Sequence, residues 1–140
     1  MNRALGLDTG DARIGLALSD ELRMLAHPLQ TVPAGKAALA QITEVIQQKS
    51  VDTVVVGLPK NMDGSKGAAA QKAETFAADL QKRVPKVKIL LWDERMTTLA
   101  AQRALHEAGR NTKQSKGVID QVAAQMILQS WLDSQSFLVP

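Results

Sequence analysis

The sequence predicts an α/β fold in which a mixed five-stranded sheet carries helices on both faces. Five apolar runs have the composition of strands, and segments with helical periodicity separate the later ones. The chain has 140 residues, of which 45% are hydrophobic, a size and composition typical of one domain with its own core. Right-handed crossovers make strands that alternate with helices parallel. We therefore expect a single domain over residues 1–140.

Each strand is recognised by its local pattern. Gly10 and Asp11 mark a tight turn between the first two strands, and Pro33 stops the third. The fourth is a β-branched run with little alternation, which is typical of a central strand covered on both faces. The predicted strands are residues 3–9, 13–19, 27–32, 51–58 and 87–92.

Apolar residues at three- and four-residue spacing predict the helices. They fill about residues 35–49, 68–83 and 117–134. A further helix, capped by Thr97 or Thr98, runs to about Ala108 and is stopped by Gly109. Residues 109–116, which include Arg110, then form a basic polar loop before the last helix.

The composition excludes several kinds of site. There are no cysteines and two histidines, His27 and His106, so thiolate sites and a histidine-rich zinc site are not expected. A metal would be held by oxygen atoms, which points to Mg²⁺ or Mn²⁺. The formal net charge of +3 is compatible with a polyanionic partner without demanding one. No apolar run spans a bilayer and no secretory signal is visible, so we expect a cytoplasmic protein.

Two acidic residues occupy positions where a carboxylate is unusual. Asp8 shares a strand face with Ala4 and Gly6, which is buried if helices cover both sides, although it could also be a simple turn residue. On a helical wheel that starts with Val118 at 0°, Asp120 falls at about 200°, inside the apolar arc of the last helix. A role as a first-turn acid that complements the helix dipole would explain where Asp120 lies along the helix, but not why it lies on the apolar side.

A third acid is expected where the last buried strand ends, at Asp93 or Glu94. Sites gather at the carboxyl ends of parallel strands, although an ordinary ion pair with Arg95 is an alternative. Clustered carboxylates repel one another unless a cation is present. Divalent ions held by such a cluster support in-line displacement at phosphorus, so the pattern favours phosphodiester hydrolysis.

Basic and polar residues supply candidate contacts to a nucleic-acid backbone. Glycines in the loop 60–67, ahead of a helix N-terminus, suit phosphate binding, although most such loops merely connect elements. The cations could equally form a solvated surface. The candidate substrate-binding residues are Arg13, Lys60, Ser65, Arg95, Lys113 and Lys116.

Several motifs together resemble the YqgF family, also called RuvX, of pre-16S rRNA nucleases and Holliday-junction-resolvase-like proteins. They occur in the family's order and span nearly the whole chain. The matching blocks are Gly6-Leu7-Asp8-Thr9-Gly10, residues 13–20, Gly57-Leu58-Pro59, Asn61-Met62-Asp63-Gly64-Ser65, Asp93-Glu94-Arg95-Met96-Thr97-Thr98, residues 119–124 and residues 127–133. The resemblance implies a ribonuclease-H-like fold and a role in trimming the 5′ end of pre-16S rRNA, with resolution of four-way DNA junctions as the alternative.

The resemblance also implies a site. Asp8 carries over as a first-strand metal ligand and Asp120 as a last-helix ligand, so the catalytic and metal-binding set becomes Asp8, Glu94 and Asp120. Ribonuclease-H-like proteins commonly have an acid where this chain has Leu58-Pro59. The next strand must therefore supply the acid. If that strand lies two places from the first, their backbones are about 9.6 Å apart, at roughly 4.8 Å per strand, which favours the longer Glu94 over Asp93.

Two other functions compete with a metal-dependent nuclease. A non-catalytic nucleic-acid-binding factor with a vestigial acid cluster would also fit the basic charge. The first hairpin further resembles the phosphate loop of actin-like and sugar-kinase ATPases, but those enzymes need a second domain. The sequence leaves open whether RNA or DNA is cut, whether one or two metal ions bind, and the oligomeric state.

Overall fold

A computed structural model describes residues 2–97 and 113–136 of the chain. It contains a mixed sheet of five strands: β1 (Arg3–Thr9), β2 (Arg13–Ser19), β3 (Ala26–Pro33), β4 (Val51–Leu58) and β5 (Lys88–Asp93). Their order across the sheet is β3-β2-β1-β4-β5. The first three strands form an antiparallel meander, whereas β4 and β5 run parallel to β1. The predicted mixed five-stranded sheet is confirmed.

The central strands β1 and β4 are apolar on both faces because both faces are covered. In β1, Leu5 and Leu7 point to one face, whereas Ala4 packs on the other. In β4, Val54 and Val55 divide between the two faces in the same way. This arrangement explains why the β4 sequence lacks the apolar-polar alternation of a strand with one solvated face.

Two helices, α1 (Ala38–Gln48) and α2 (Ala68–Arg83), cover the first face. Their apolar side chains recur at helical spacing and join the core formed by β1 and β4. Ile42 of α1 and Leu80 of α2 have no exposed surface. Burying a side chain of this kind stabilises the fold by about 1.5–3 kcal/mol, so both helices are fixed to the sheet mainly by their apolar faces.

The last helix, α3 (Lys113–Ser136), covers the second face alone within the described residues. Its buried stripe includes Ala124, Ile127 and Leu128. Two glutamines tie the same helix to the edge strand β3. The Gln129 side chain accepts a hydrogen bond from the Ala26 N–H at 2.8 Å, and Gln125 donates to the Ala26 carbonyl at 2.9 Å. These bonds fix how α3 lies across the sheet.

Some boundaries differ from the prediction. The prediction that the basic loop extends to Lys116 is wrong, because α3 begins at Lys113. One internal glycine, Gly117, costs a helix only about 1 kcal/mol relative to alanine, so it does not set the boundary. A short 3₁₀ helix, Glu94–Met96, follows β5 and was not predicted. The predicted helix ending near Ala108 lies outside the described residues.

Within the described ranges, no helix combines the length and apolar character that a bilayer crossing requires.

Candidate active site

Asp8 lies on the α3 face of the sheet, between glycines of the two neighbouring strands. It is paired with Gly15 of β2, and Gly57 of β4 lies one residue beyond the parallel pair of Leu7 and Val56. The Asp8 residue is buried, with 6% of its surface exposed. Since neither glycine carries a side chain, groups from other segments can come close to the sheet on both sides of Asp8.

Glu94 comes in over one of these glycines. A Cβ atom added at Gly57 would lie only 2.8 Å from Glu94 Oε2. Glu94 is 6% exposed and begins the 3₁₀ helix directly after β5. Because β5 lies two strands from β1, this side chain crosses toward the sheet centre above the intervening β4. The carboxylate therefore lies above the strand that adjoins Asp8.

Asp93, the alternative to Glu94, is engaged by cations instead. The Arg95 Nη2 atom donates to Asp93 Oδ2 at 2.8 Å, and Lys60 Nζ lies 3.9 Å from the same oxygen. Asp93 also accepts the Arg95 backbone N–H at 2.9 Å, which starts the 3₁₀ helix. The hydrogen bonds from Arg95 hold the pKa of the Asp93 carboxyl below its usual value. Asp93 thus fixes the backbone that presents Glu94.

Asp120 approaches from the other side of Asp8. A Cβ atom added at Gly15 would lie 2.0 Å from the Asp120 carbonyl oxygen, so the α3 backbone rests directly on β2 at this point. The Asp120 side chain accepts a hydrogen bond from Arg13 Nε at 2.8 Å. Both partners are partly exposed. Gly15 is therefore what allows the α3 backbone at Asp120 to lie directly on β2 at the position paired with Asp8.

The three acidic residues lie along one row of the sheet, from Gly57 through Asp8 to Gly15, but their carboxylates do not form a finished metal site. Among residues 2–97 and 113–136, no three histidine, cysteine, aspartate or glutamate side chains are arranged to hold an ion as they stand. Asp120 is bound to Arg13. The donor set nevertheless fits a hard divalent cation, because carboxylate oxygens are the ligands that such ions prefer and Glu94 Oε2 lies over Gly57 beside Asp8. The ligand roles remain a prediction.

The predicted substrate contacts fall into two groups around this row. Arg13 lies on the Asp120 side, whereas Lys60 and Arg95 lie on the Glu94 side and share Asp93. Ser65 is held inside the loop 60–67, where its backbone N–H and hydroxyl donate to Asp63 at 2.9 and 2.6 Å. Lys113 and Lys116 lie in the first turn of α3, and their side chains are outside the described part of the chain.

Sequence reasoning did not single out the two glycines or the bond between Arg13 and Asp120. The glycines were visible as motif residues, since each lies in a block shared with the YqgF family. Their role depends on which helix or side chain lies above them, and no local pattern encodes that contact. The ion pair joins residues 107 positions apart, so it was equally invisible.

Comparison with known proteins identifies the family. The family described as "RuvX: Holliday junction resolvase" matches residues 2–134, nearly the whole chain. The chain belongs to the RuvX family. This match assigns the segment on which the ATPase alternative rested to the RuvX family instead.

Relatives of this RuvX family member carry consistent names. A protein of Halalkalibacterium halodurans named "Putative pre-16S rRNA nuclease" is 47% identical over 137 residues, covering 95% of this chain and 97% of the relative. One of Acetivibrio thermocellus with the same name is 44% identical over 136 residues, covering 95% and 96%. The predicted family and the nuclease class of the function are confirmed.

Solved structures confirm the ribonuclease-H-like fold predicted for this RuvX family member. Thermus thermophilus RuvC superposes with a TM-score of 0.60 at 14% identity, covering 96% of each chain. The structure described as T. thermophilus RuvC in complex with a Holliday junction substrate gives a TM-score of 0.58 at 15% identity, covering 97% and 96%. At this level of identity the likeness concerns the fold alone.

Proposed function

We propose that this RuvX family member hydrolyses phosphodiester bonds with a divalent metal ion held by Asp8, Glu94 and Asp120. The observation that carries the proposal is the placement of two buried carboxylates, Asp8 and Glu94, on one row of the sheet with Asp120 above it. Carboxylates placed close together repel one another unless a cation is present, so such a row is expected where metal chemistry takes place.

Mg²⁺ or Mn²⁺ bound there would supply Lewis-acid stabilisation of the phosphate and an activated water. The residues of the chain have to bind and orient the nucleic acid. Arg13 and Arg95 flank the row from opposite sides, and each can donate two hydrogen bonds to a phosphate. Lys60 adds a positive charge next to Arg95, and Lys113 and Lys116 complete the proposed contacts to the nucleic-acid backbone.

The substrate that we favour is the 5′ region of the 16S ribosomal RNA precursor, a role that would place the protein in the cytoplasm. Support comes from relatives at 44–47% identity over almost the full chain, which are named for that activity. Resolution of four-way DNA junctions is the second candidate, supported by the description of the family. Assaying a labelled precursor RNA and a four-way DNA junction side by side distinguishes them.

The decisive experiment is the Asp8→Asn substitution. We expect at least about a 100-fold loss of cleavage, with thermal stability maintained, because the variant removes one negative charge and keeps the shape of the side chain. Asp79→Asn on α2, on the opposite face of the sheet, is the matched control and should cut like the wild type. EDTA should stop cleavage, and Mn²⁺ should restore it.

If Asp8→Asn protein from a matched purification cuts as fast as the wild type, the mechanism is wrong. The non-catalytic alternative makes a different prediction, because it requires nucleic-acid binding without a metal site. Calorimetric titration with Mn²⁺ distinguishes the two. Metal binding that is lost in both Asp8→Asn and Asp120→Asn supports the enzyme, whereas no binding to the wild type favours the binding factor.

A further inference from the structure

Met62 is the most exposed large hydrophobic side chain in the described part of the chain, with 87% of its surface open to solvent. Single exposed apolar residues are normal on protein surfaces and by themselves indicate nothing. Met62 differs because of the loop that holds it and because of where that loop lies. The loop 60–67 directly follows β4, at the end of the sheet where the three acids converge.

The loop is closed on itself by hydrogen bonds. Lys60 and Lys66 form an antiparallel bridge, and the Asn61 N–H donates to the Ser65 carbonyl at 2.9 Å. The Gly64 N–H donates back to the Asn61 carbonyl at 2.9 Å, and the Asn61 side chain donates to Ser65 Oγ at 2.9 Å. Met62 is thus presented to solvent by an ordered turn, so little backbone entropy remains to be lost when it engages a partner.

The same loop is joined to the residues on either side of Glu94. Lys60 lies 3.9 Å from Asp93, and the Arg95 guanidinium lies over Gly64, with Nη1 3.4 Å from the position of an added Cβ. Lys60 follows Gly57 by three residues, so their Cα atoms are at most about 10 Å apart. A nucleic acid whose phosphate reaches the acids would therefore pass beside the base of the loop that carries Met62.

We propose that Met62 is a wedge residue, an apolar side chain that inserts between adjacent bases and unstacks them next to the scissile phosphate. The inference rests on the proposed nuclease function and specifies how the same site recognises its substrate. Methionine is among the residues that proteins insert between base steps. Unstacking would bend the strand toward the acids, so the wedge favours junctions between duplex and single strand over a continuous duplex.

A nucleic acid is the partner that we favour for this surface because cations lie on and beside the loop. Lys60 and Arg95 share Asp93, Lys66 is paired with Glu74, and the loop itself carries the carboxylate of Asp63 beside Met62. Two guanidinium nitrogens of Arg95 bind Asp93, whereas Nη1 is directed toward the loop. A guanidinium can bind a carboxylate and a phosphate at the same time.

The aromatic content points the same way. The chain has no tyrosine, two tryptophans and two phenylalanines. Trp92, the tryptophan beside the site, packs against α3 and donates a hydrogen bond from Nε1 to Ser130 Oγ at 3.0 Å. It is therefore already committed to the core. Met96, which is 66% exposed and follows Glu94 by two residues, lines a groove with Trp92 and α3, so Met62 is the exposed apolar side chain on the loop side of the acids.

The test measures base unstacking independently of cleavage. RNA hairpins and four-way DNA junctions carry 2-aminopurine at successive positions beside the duplex end, and each is mixed with metal-free Asp8→Asn protein so that cleavage does not interfere. We expect a several-fold rise in fluorescence at one or two adjacent positions. In the Asp8→Asn/Met62→Ala double variant the rise in fluorescence should be lost. In the Asp8→Asn/Met62→Leu double variant the rise should persist, because leucine keeps the apolar bulk.

Met24→Ala is the matched control, since Met24 is also exposed, at 66%, but lies in the connection between β2 and β3. It should leave the fluorescence and cleavage unchanged. In the active protein, Met62→Ala should slow cleavage of the hairpin about tenfold without changing the melting temperature. Equal fluorescence with and without the Met62→Ala substitution would overturn the wedge while leaving the nuclease intact. Full cleavage by Asp8→Asn would instead refute the proposed catalytic site.

Discussion

Gly57→Ala tests the position of Glu94 with a single methyl group. The added Cβ would lie 2.8 Å from Glu94 Oε2 and 2.4 Å from Ile127 Cδ1, whereas ordinary contacts begin near 3.4 Å. The carboxylate must therefore retreat by about 0.6 Å and the isoleucine methyl by about 1 Å. Ile127 is completely buried, so it has little room to yield and the Glu94 side chain has to move as well.

Two separate effects follow from this displacement. Overpacking a filled core costs about 1–3 kcal/mol, partly offset by the roughly 0.4–1 kcal/mol that an alanine saves in the unfolded chain. We expect the melting temperature to fall by roughly 3–8 °C. Misplacing a reacting group by about 1 Å can cost on the order of 100-fold in rate, so kcat should fall 10- to 100-fold.

Single-turnover cleavage and differential scanning calorimetry measure the two effects. Val54→Ile is the matched control, because it adds bulk to the same strand on the opposite face and leaves Glu94 untouched. It should lower stability and leave kcat within about twofold. Glu94→Gln should lose activity as Gly57→Ala does, with little change in stability. A Gly57→Ala protein that cuts at the wild-type rate would show that Glu94 does not act from this position.

Two further predictions concern the ion pairs beside the acids. Arg13→Gln should tighten Mn²⁺ binding about fivefold in calorimetry. The Arg13–Asp120 ion pair contributes about 1 kcal/mol, and without it the metal no longer competes with Arg13 for the Asp120 carboxylate. Weaker binding would contradict this reasoning. The Arg95 hydrogen bonds lower the pKa of Asp93, so the stabilisation comes from its ionised form and is lost as the pH falls through the folded pKa. In urea unfolding, the stability advantage of the wild type over Asp93→Asn should be constant from pH 5 to 7 and shrink below about pH 4; an advantage that does not change with pH would refute it.

Much of the fold followed from periodicity alone. The β-branched run at residues 51–58 predicted the buried central strand with its observed bounds, and α2 covers the predicted 68–83. The start of α3 was missed because the sequence before it is polar and basic, which fits either a loop or an exposed first turn. Patterns locate elements whose apolar face is long, and they fail where an element begins without one.

The candidate site was only partly predictable. Asp8 and Asp120 stood out because each carboxylate interrupts an apolar face, and that conflict is a local property of the sequence. The preference for Glu94 over Asp93 rested on side-chain reach, and the structure does turn Glu94 over Gly57 while Arg95 and Lys60 engage Asp93. Whether these three acids hold metal remains a prediction.

The sequence by itself determined the class of fold, the family and the acids that break the apolar pattern, because each is written in the spacing of neighbouring residues. Only the tertiary structure decided that Gly15 and Gly57 flank Asp8, that α3 rests on Gly15, and that Arg13 binds Asp120. The physical reason is that these contacts join segments far apart in the chain. Their distances are set by strand order and by how closely a helix can approach a backbone that carries no side chain.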